Sequence, residues 1–173
     1  MTVHYISQTE ITLEKYLSWA NKPIGRNAVK KLNRYRMING FAMVFSLLGG
    51  LFCFKSDIAE MAWLYIAFFL AFGYKLLFGR NSANKKLYNQ SIAAMDGEKW
   101  IRTITFASNI QVADNNSTTT FKYSDFKKVD ENSSYYLLYR DENLVLRVDK
   151  GSFITGDETQ FKAFITSRIK NKI

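Results

Sequence analysis

Two apolar runs, Met37–Phe54 and Ala59–Gly79, constrain this chain more than anything else in it. Only Lys55-Ser56-Asp57-Ile58 separates them. Each run is about long enough to cross a hydrocarbon core of ~30 Å as a helix. So short a connection predicts a tight helical hairpin in a membrane. A chain of 173 residues then has room for that hairpin and one small soluble domain.

The charge distribution orients the hairpin. The formal net charge is +9, and the excess clusters at the flanks. Lys22, Arg26, Lys30, Lys31, Arg34 and Arg36 precede the first run, and Arg80, Lys85 and Lys86 follow the second. The connecting loop sets Lys55 against Asp57 and Glu60. Lys and Arg near membrane segments favour the cytoplasmic side, so both termini are expected there, with the loop outside. The same bias accounts for the basic excess without nucleic acid, which is not an expected partner. Anionic lipid headgroups are a simpler counterpart for the flanks. The single cysteine, Cys53, cannot close an intrachain disulfide and reads as a buried apolar thiol. The first 36 residues are too polar for a secretory signal peptide.

Ahead of the hairpin, Val3–Ile6 predicts a strand. A short amphipathic helix follows, capped by Thr9 or Thr12, until Pro23 and Gly25 break it. Asn27–Arg36 is a basic helical lead. Inside the runs, Ser46-xxx-Gly50 and Ala67-xxx-Ala71 have the small-residue spacing that lets helices approach closely, within one hairpin or between two copies. Trp63 and Tyr65 suit the outer interface. Lys75, close to the cytoplasmic end, can extend its ammonium to the headgroups.

Arg80–Glu98 continues as a helix. From Trp100 the period changes to two, with Trp100, Arg102, Ile104 and Phe106 on one face. Ile110–Ala113, Thr118–Tyr123, Phe126–Asp130, Tyr135–Arg140 and Leu144–Val148 repeat that behaviour between Asn, Asp, Ser and Glu turns. Phe106, Phe121, Tyr135 and Tyr139 are the expected core. Asp157–Lys172 closes the chain as a helix capped by Asp157, with Phe161, Phe164, Ile165 and Ile169 facing inward. The fold class is therefore α+β: a transmembrane helical hairpin plus a PH-like antiparallel β-barrel or sheet capped by a C-terminal helix. The expected divisions are a strand and basic helix (1–36), hairpin (37–79), connecting helix (80–99) and PH-like domain (100–173). If the first strand adds to that sheet, both cytoplasmic ends are tied together.

The sequence also resembles a known family. Trp100-Ile101-Arg102-Thr103-Ile104-Thr105-Phe106 after a membrane hairpin is similar to the bacterial YcxB-like proteins. Tyr123-Ser124-Asp125-Phe126-Lys127-Lys128-Val129 matches that family's Y-x-D-I-x-K-V element. Tyr135-Tyr136-Leu137-Leu138-Tyr139 and Val148-Asp149-Lys150-Gly151-Ser152-Phe153 resemble its Y-L-Y strand and its basic turn before Ser-Phe. The family often has Ile-Pro-Lys where this chain has Val148-Asp149-Lys150. The resemblance runs from about Val3 to the end and implies a multi-pass bacterial inner-membrane protein with a PH-like domain. It supplies no catalytic residues.

Nothing in the residues points to catalysis. His4 is the only histidine, so no zinc site and no Ser-His or Cys-His nucleophile can be assembled from the sequence. Neither GxGxxG nor GxxxxGK[ST] occurs, and no cofactor is expected. The candidate binding surface is basic: Lys122, Lys127 and Lys128, with Arg140, Arg147 and Lys150. A solvated edge that blocks strand-to-strand aggregation reads the same way. The expected function is a membrane-anchored binding or scaffold module without catalysis, its partners membrane lipids, a protein or a second copy. The alternatives are a small immunity or protective membrane protein and an accessory subunit of a membrane complex.

Overall fold

The computed structural model describes residues 4–115 and 117–170, with Lys170 described in its backbone only. The expected strand start at Val3 and the end of the last helix at Lys172 lie outside them. The chain forms two compact units, residues 27–87 and residues 1–26 with 88–173.

The first unit is helical. Elements in chain order begin with β1 (Tyr5–Glu10) and α1 (Leu13–Asn21), which belong to the other unit, followed by α2 (Arg26–Lys55), α3 (Ala59–Tyr74) and α4 (Arg80–Ala93). A π-turn over Lys75–Gly79 joins the last two. The runs Arg26–Lys55 and Ala59–Ala93 are long and apolar enough to cross a membrane. The chain reverses between them at Asp57, whose φ of 61° is one that Asp tolerates through its short polar side chain. Gly49 and Gly50 permit the close approach of α2 and α3. A Cβ on Gly49 would lie 2.6 Å from the Tyr65 ring, and one on Gly50 3.5 Å from Tyr65 Cβ. Ser46 and Gly50 are thus buried, as their spacing predicts, along with Cys53. Ala67 and Ala71 are exposed, and Ala62 is the buried small residue of α3. The Tyr65 ring packs against α2 at Gly49. The polar groups on α2 are satisfied locally. Ser46 Oγ donates to Ala42 O at 2.7 Å, and Asn39 Nδ2 to Tyr35 O at 2.8 Å. The Tyr35 hydroxyl donates to Lys75 O, at the start of the π-turn.

The second unit holds the sheets: β2 (Ile101–Phe106), β3 (Ile110–Asp114), β4 (Ser117–Phe121), β5 (Lys128–Glu131), β6 (Tyr135–Tyr139), β7 (Val145–Asp149), β8 (Phe153–Thr155) and α5 (Glu158–Lys170). One sheet has the order β4-β3-β2-β1-β8 and the other β5-β6-β7, every pairing antiparallel. The expected barrel is therefore corrected: no closed barrel forms. After β4 the chain turns through a short 3₁₀ segment, Tyr123–Asp125, with Asp125 accepting from Lys122 N, so β4 and β5 share no ladder.

The first strand is longer than Val3–Ile6 suggests, because its inward positions continue through small polar residues, Ser7 and Thr9, as well as Tyr5. Thr9 consequently lies in the strand. Thr12 is the cap, accepting from Lys15 N at 3.3 Å. The strand β8 has no counterpart among the expected elements.

The core consists of Tyr5, Ile104, Phe106, Ile110, Tyr123, Phe126, Tyr136, Leu138, Leu146, Val148, Phe161 and Ile165. Phe106 is central, as expected, and Phe121 packs against the cluster. Tyr135 and Tyr139 are a correction. The strand alternates with the opposite phase, so Tyr136 and Leu138 face the core while Tyr135 and Tyr139 turn to the other face. The closing helix behaves as its periodicity predicts. Thr159 N donates to Asp157 Oδ1 at 2.9 Å, and Phe161 and Ile165 are fully buried.

Candidate functional site

The six basic candidates do not form one patch. Lys127 and Arg140 lie at the open end of the β5–β6 pair, where Lys127 N donates to Tyr139 O. Both side chains are exposed. The carboxylate of Asp141 sits below the usual range because it accepts from the amides of Asn143 and Leu144, with smaller help from Arg140 and Lys127. Lys122 is exposed beside the 3₁₀ turn. Lys128 pairs with Asp130 at 2.7 Å, which raises its pKa, and lies over the Tyr139 ring.

Lys150 belongs to a different cluster. It and Lys162 both bond to Glu131, and together they lower that carboxylate's pKa. The Lys150 ammonium also sits 5.1 Å from the Tyr136 ring centroid.

Arg147 is held at a third place, on the face of β7 that α1 covers. It donates to Lys22 O at 2.9 Å and lies between the rings of Trp19 and Tyr135, 5.8 and 5.9 Å from their centroids. Trp19 Nε1 donates to the Tyr135 hydroxyl at 3.2 Å. Burial depresses the guanidinium's pKa, opposed by Tyr135 and Asp149. Two residues along the strand, Asp149 is buried and paired with Lys15 at 2.6 Å.

A cleft of about 350 Å³ opens here, lined by Tyr16, Trp19, Ala20, Arg102, Val145, Leu146 and Arg147. Arg102, on β2, also stands 5.8 Å from the Trp19 centroid. Its Nε and Nη2 grip the two oxygens of Asp114 at 2.8 and 3.0 Å. Sequence reasoning singled out Arg147 but neither Trp19 nor Arg102 as its companions. The cleft is assembled by strand order, and no local signal in the sequence announces it. Among the described residues no group of three or more His, Cys, Asp or Glu side chains could hold a metal.

Comparison with protein families matches residues 107–165 to the YcxB-like proteins. Over this segment, about a third of the chain, the protein is similar to the YcxB-like family. The resemblance expected from the Tyr123–Val129 and Tyr135–Tyr139 motifs is thereby shown over that range. The YcxB-like segment contains all six basic candidates. It contributes Val145, Leu146 and Arg147 to the cleft, whereas Tyr16, Trp19, Ala20 and Arg102 come from outside it. No curated protein and no solved structure matches the chain.

Proposed function

We propose that this protein is a bacterial inner-membrane binding or scaffold module, without catalysis, whose PH-like domain contacts a protein partner or anionic lipid headgroups. The observation that carries the reading is the β1–β2 pairing. These strands flank the helical hairpin in sequence, yet they are antiparallel neighbours from Tyr5–Phe106 to Glu10–Ile101. A folded unit cannot be divided across a bilayer, so an inserted hairpin must leave and re-enter the unit on one side. The Lys and Arg of both flanks favour the cytoplasm as that side. The two sheets with α5 against them support the PH-like description. The exposed Lys122, Lys127 and Arg140, beside a membrane, would meet an elevated concentration of anionic headgroups.

Labelling in intact cells tests the topology. In a Cys53→Ser background, Ser56→Cys is expected to react with an impermeant maleimide from outside. Ser167→Cys is expected to react only after permeabilisation. Labelling of Ser167→Cys in intact cells overturns the arrangement. Purification in native lipid particles then separates the partners: a stoichiometric protein supports the scaffold role, and enriched anionic lipid supports headgroup contact. Lys127→Glu with Lys128→Glu is expected to reduce that enrichment.

A further inference from the structure

The cleft between α1, β2 and β7 has a property that the exposed lysines lack. Among the described residues, four cations of this unit are partly buried: Lys15, Arg102, Arg147 and Lys150. Three have a carboxylate within ion-pair distance, namely Asp149, Asp114 and Glu131. Among the described residues, Arg147 has none. A partly buried charge with no carboxylate at ion-pair distance is costly, and a backbone carbonyl, two ring faces and the more distant Asp149 offset only part of that cost.

The geometry limits what can complete it. Trp19 and Tyr135 lie against the Arg147 guanidinium, so the face of the group is used and its N–H edge is what remains. One N–H goes to Lys22 O. The others are available to an acceptor. Arg102 has given Nε and one Nη2 hydrogen to Asp114, and its Nη1 group is not committed to that carboxylate. Both guanidiniums line one cleft, and each stands 5.8 Å from the Trp19 ring centroid. The charges close by are Lys15, Arg102 and Arg147 against Asp114 and Asp149, which leaves a net positive site.

We propose that this cleft binds a phosphate monoester, with the phosphate bridging Arg147 and Arg102 and a small organic body resting against Trp19 and Tyr16. A carboxylate suits a single guanidinium fork. A phosphate offers further oxygens in a tetrahedral arrangement and can serve two separate arginines. A volume of about 350 Å³ admits a headgroup-sized ester. The site is distinct from the Lys127–Arg140 surface and does not depend on the proposed membrane role.

The test uses the full chain in nanodiscs of zwitterionic lipid, titrated with inorganic phosphate and then glycerol phosphate at constant ionic strength. The readout is the indole N–H resonance of Trp19, assigned with Trp19→Phe. A saturable shift is expected, with chloride giving none. Arg147→Lys is expected to weaken binding by about tenfold or more, since the ammonium keeps charge but loses the fork. Arg147 also holds α1, so Val145→Glu is the second variant. It places a negative charge at the partly exposed rim without touching those bonds, and the same loss is expected. Discs containing phosphatidic acid identify the source. A Trp19 shift already present without added phosphate assigns the site to a lipid headgroup, and an unchanged titration assigns it to a soluble ester. No saturable shift in either disc, or an equal shift in Val145→Glu, overturns the proposal.

Discussion

Thr9 stands opposite Arg102 in the β1–β2 ladder, although the whole helical hairpin separates them in sequence. The sheet-bearing unit is therefore discontinuous, and the helical segment is an insertion between two neighbouring strands. β1 is an interior strand, flanked by β2 and β8. Its Tyr5 ring packs on Phe153, Phe161 and Phe164, with centroids 4.7–6.0 Å away.

Deleting residues 1–10 should therefore unfold the sheet unit rather than trim an arm. The deletion would expose a strand edge on β2 and one side of the aromatic core, which invites aggregation. Limited proteolysis in detergent is expected to digest residues 100–173 of the shortened chain under conditions that spare the full one. A protected C-terminal fragment would show that β1 is dispensable.

Tyr123 links titration to stability at high pH. Its hydroxyl donates to Ala107 O at 2.9 Å in a buried setting, and desolvation pushes its pKa up to about 12, with Arg168 pulling the other way. An acid whose folded pKa exceeds its unfolded value of about 10 holds its proton longer when folded. That contribution is complete below pH ~10 and is lost as pH rises towards 12. Tyr123→Phe should cost about 1 kcal/mol at neutral pH through the lost hydrogen bond. It should also flatten the alkaline fall in denaturant midpoint. An equally steep fall in the variant would assign the slope to other groups.

How much was legible follows from the range of each interaction. The hairpin is local: length, apolarity and the Ser46–Gly50 spacing lie within one stretch. Most strands could be read from alternation, and α5 from the spacing of Phe161 and Ile165. The phase of β6 could not. Tyr135-Tyr136-Leu137-Leu138-Tyr139 is apolar on both faces, and α1 covers the second one through Trp19. Sheet order was likewise hidden. The interior position of β1 depends on partners far away in sequence. So does the cleft, where Trp19, Arg102 and Arg147 meet only after α1 lies against β7. The lysines singled out for charge alone proved to be separate, since neighbouring Glu131 and Asp130 claim two of them.

Glu131 should report on acid pH. Its folded pKa is lowered by hydrogen bonds from Lys150 first and Lys162 second. A depressed carboxylate pKa gives stability that is present above the unfolded value of about 4.3 and lost as pH falls through the folded one. Glu131→Gln is thus expected to melt below the parent at pH 7, with the gap closing on acidification below about pH 4. Water reaches the pair from the surface, so the gap should be small and should narrow with added salt. A gap that is constant from pH 7 to pH 3 would mean that the side chain acts through packing and not charge.

Two glycines with similar backbone angles separate strain from crowding. Gly156 has φ of 90° and Gly151 φ of 75°. Around Gly151 a Cβ would meet nothing within 4 Å. Gly151→Ala should then cost only the left-handed conformation, about 1 kcal/mol. At Gly156 a Cβ would lie 2.7 Å from His4 O and 2.3 Å from the Tyr5 ring. The carbonyl is backbone, and the ring is wedged against Phe161 and Phe164, so neither can yield cheaply. Gly156→Ala is expected to lose roughly 2–4 kcal/mol, the sum of strain and overpacking. Chemical denaturation of the two variants side by side measures the difference. Equal losses would show that β1 and the turn before α5 move apart freely, and that the contact of Tyr5 with Gly156 does not constrain the fold.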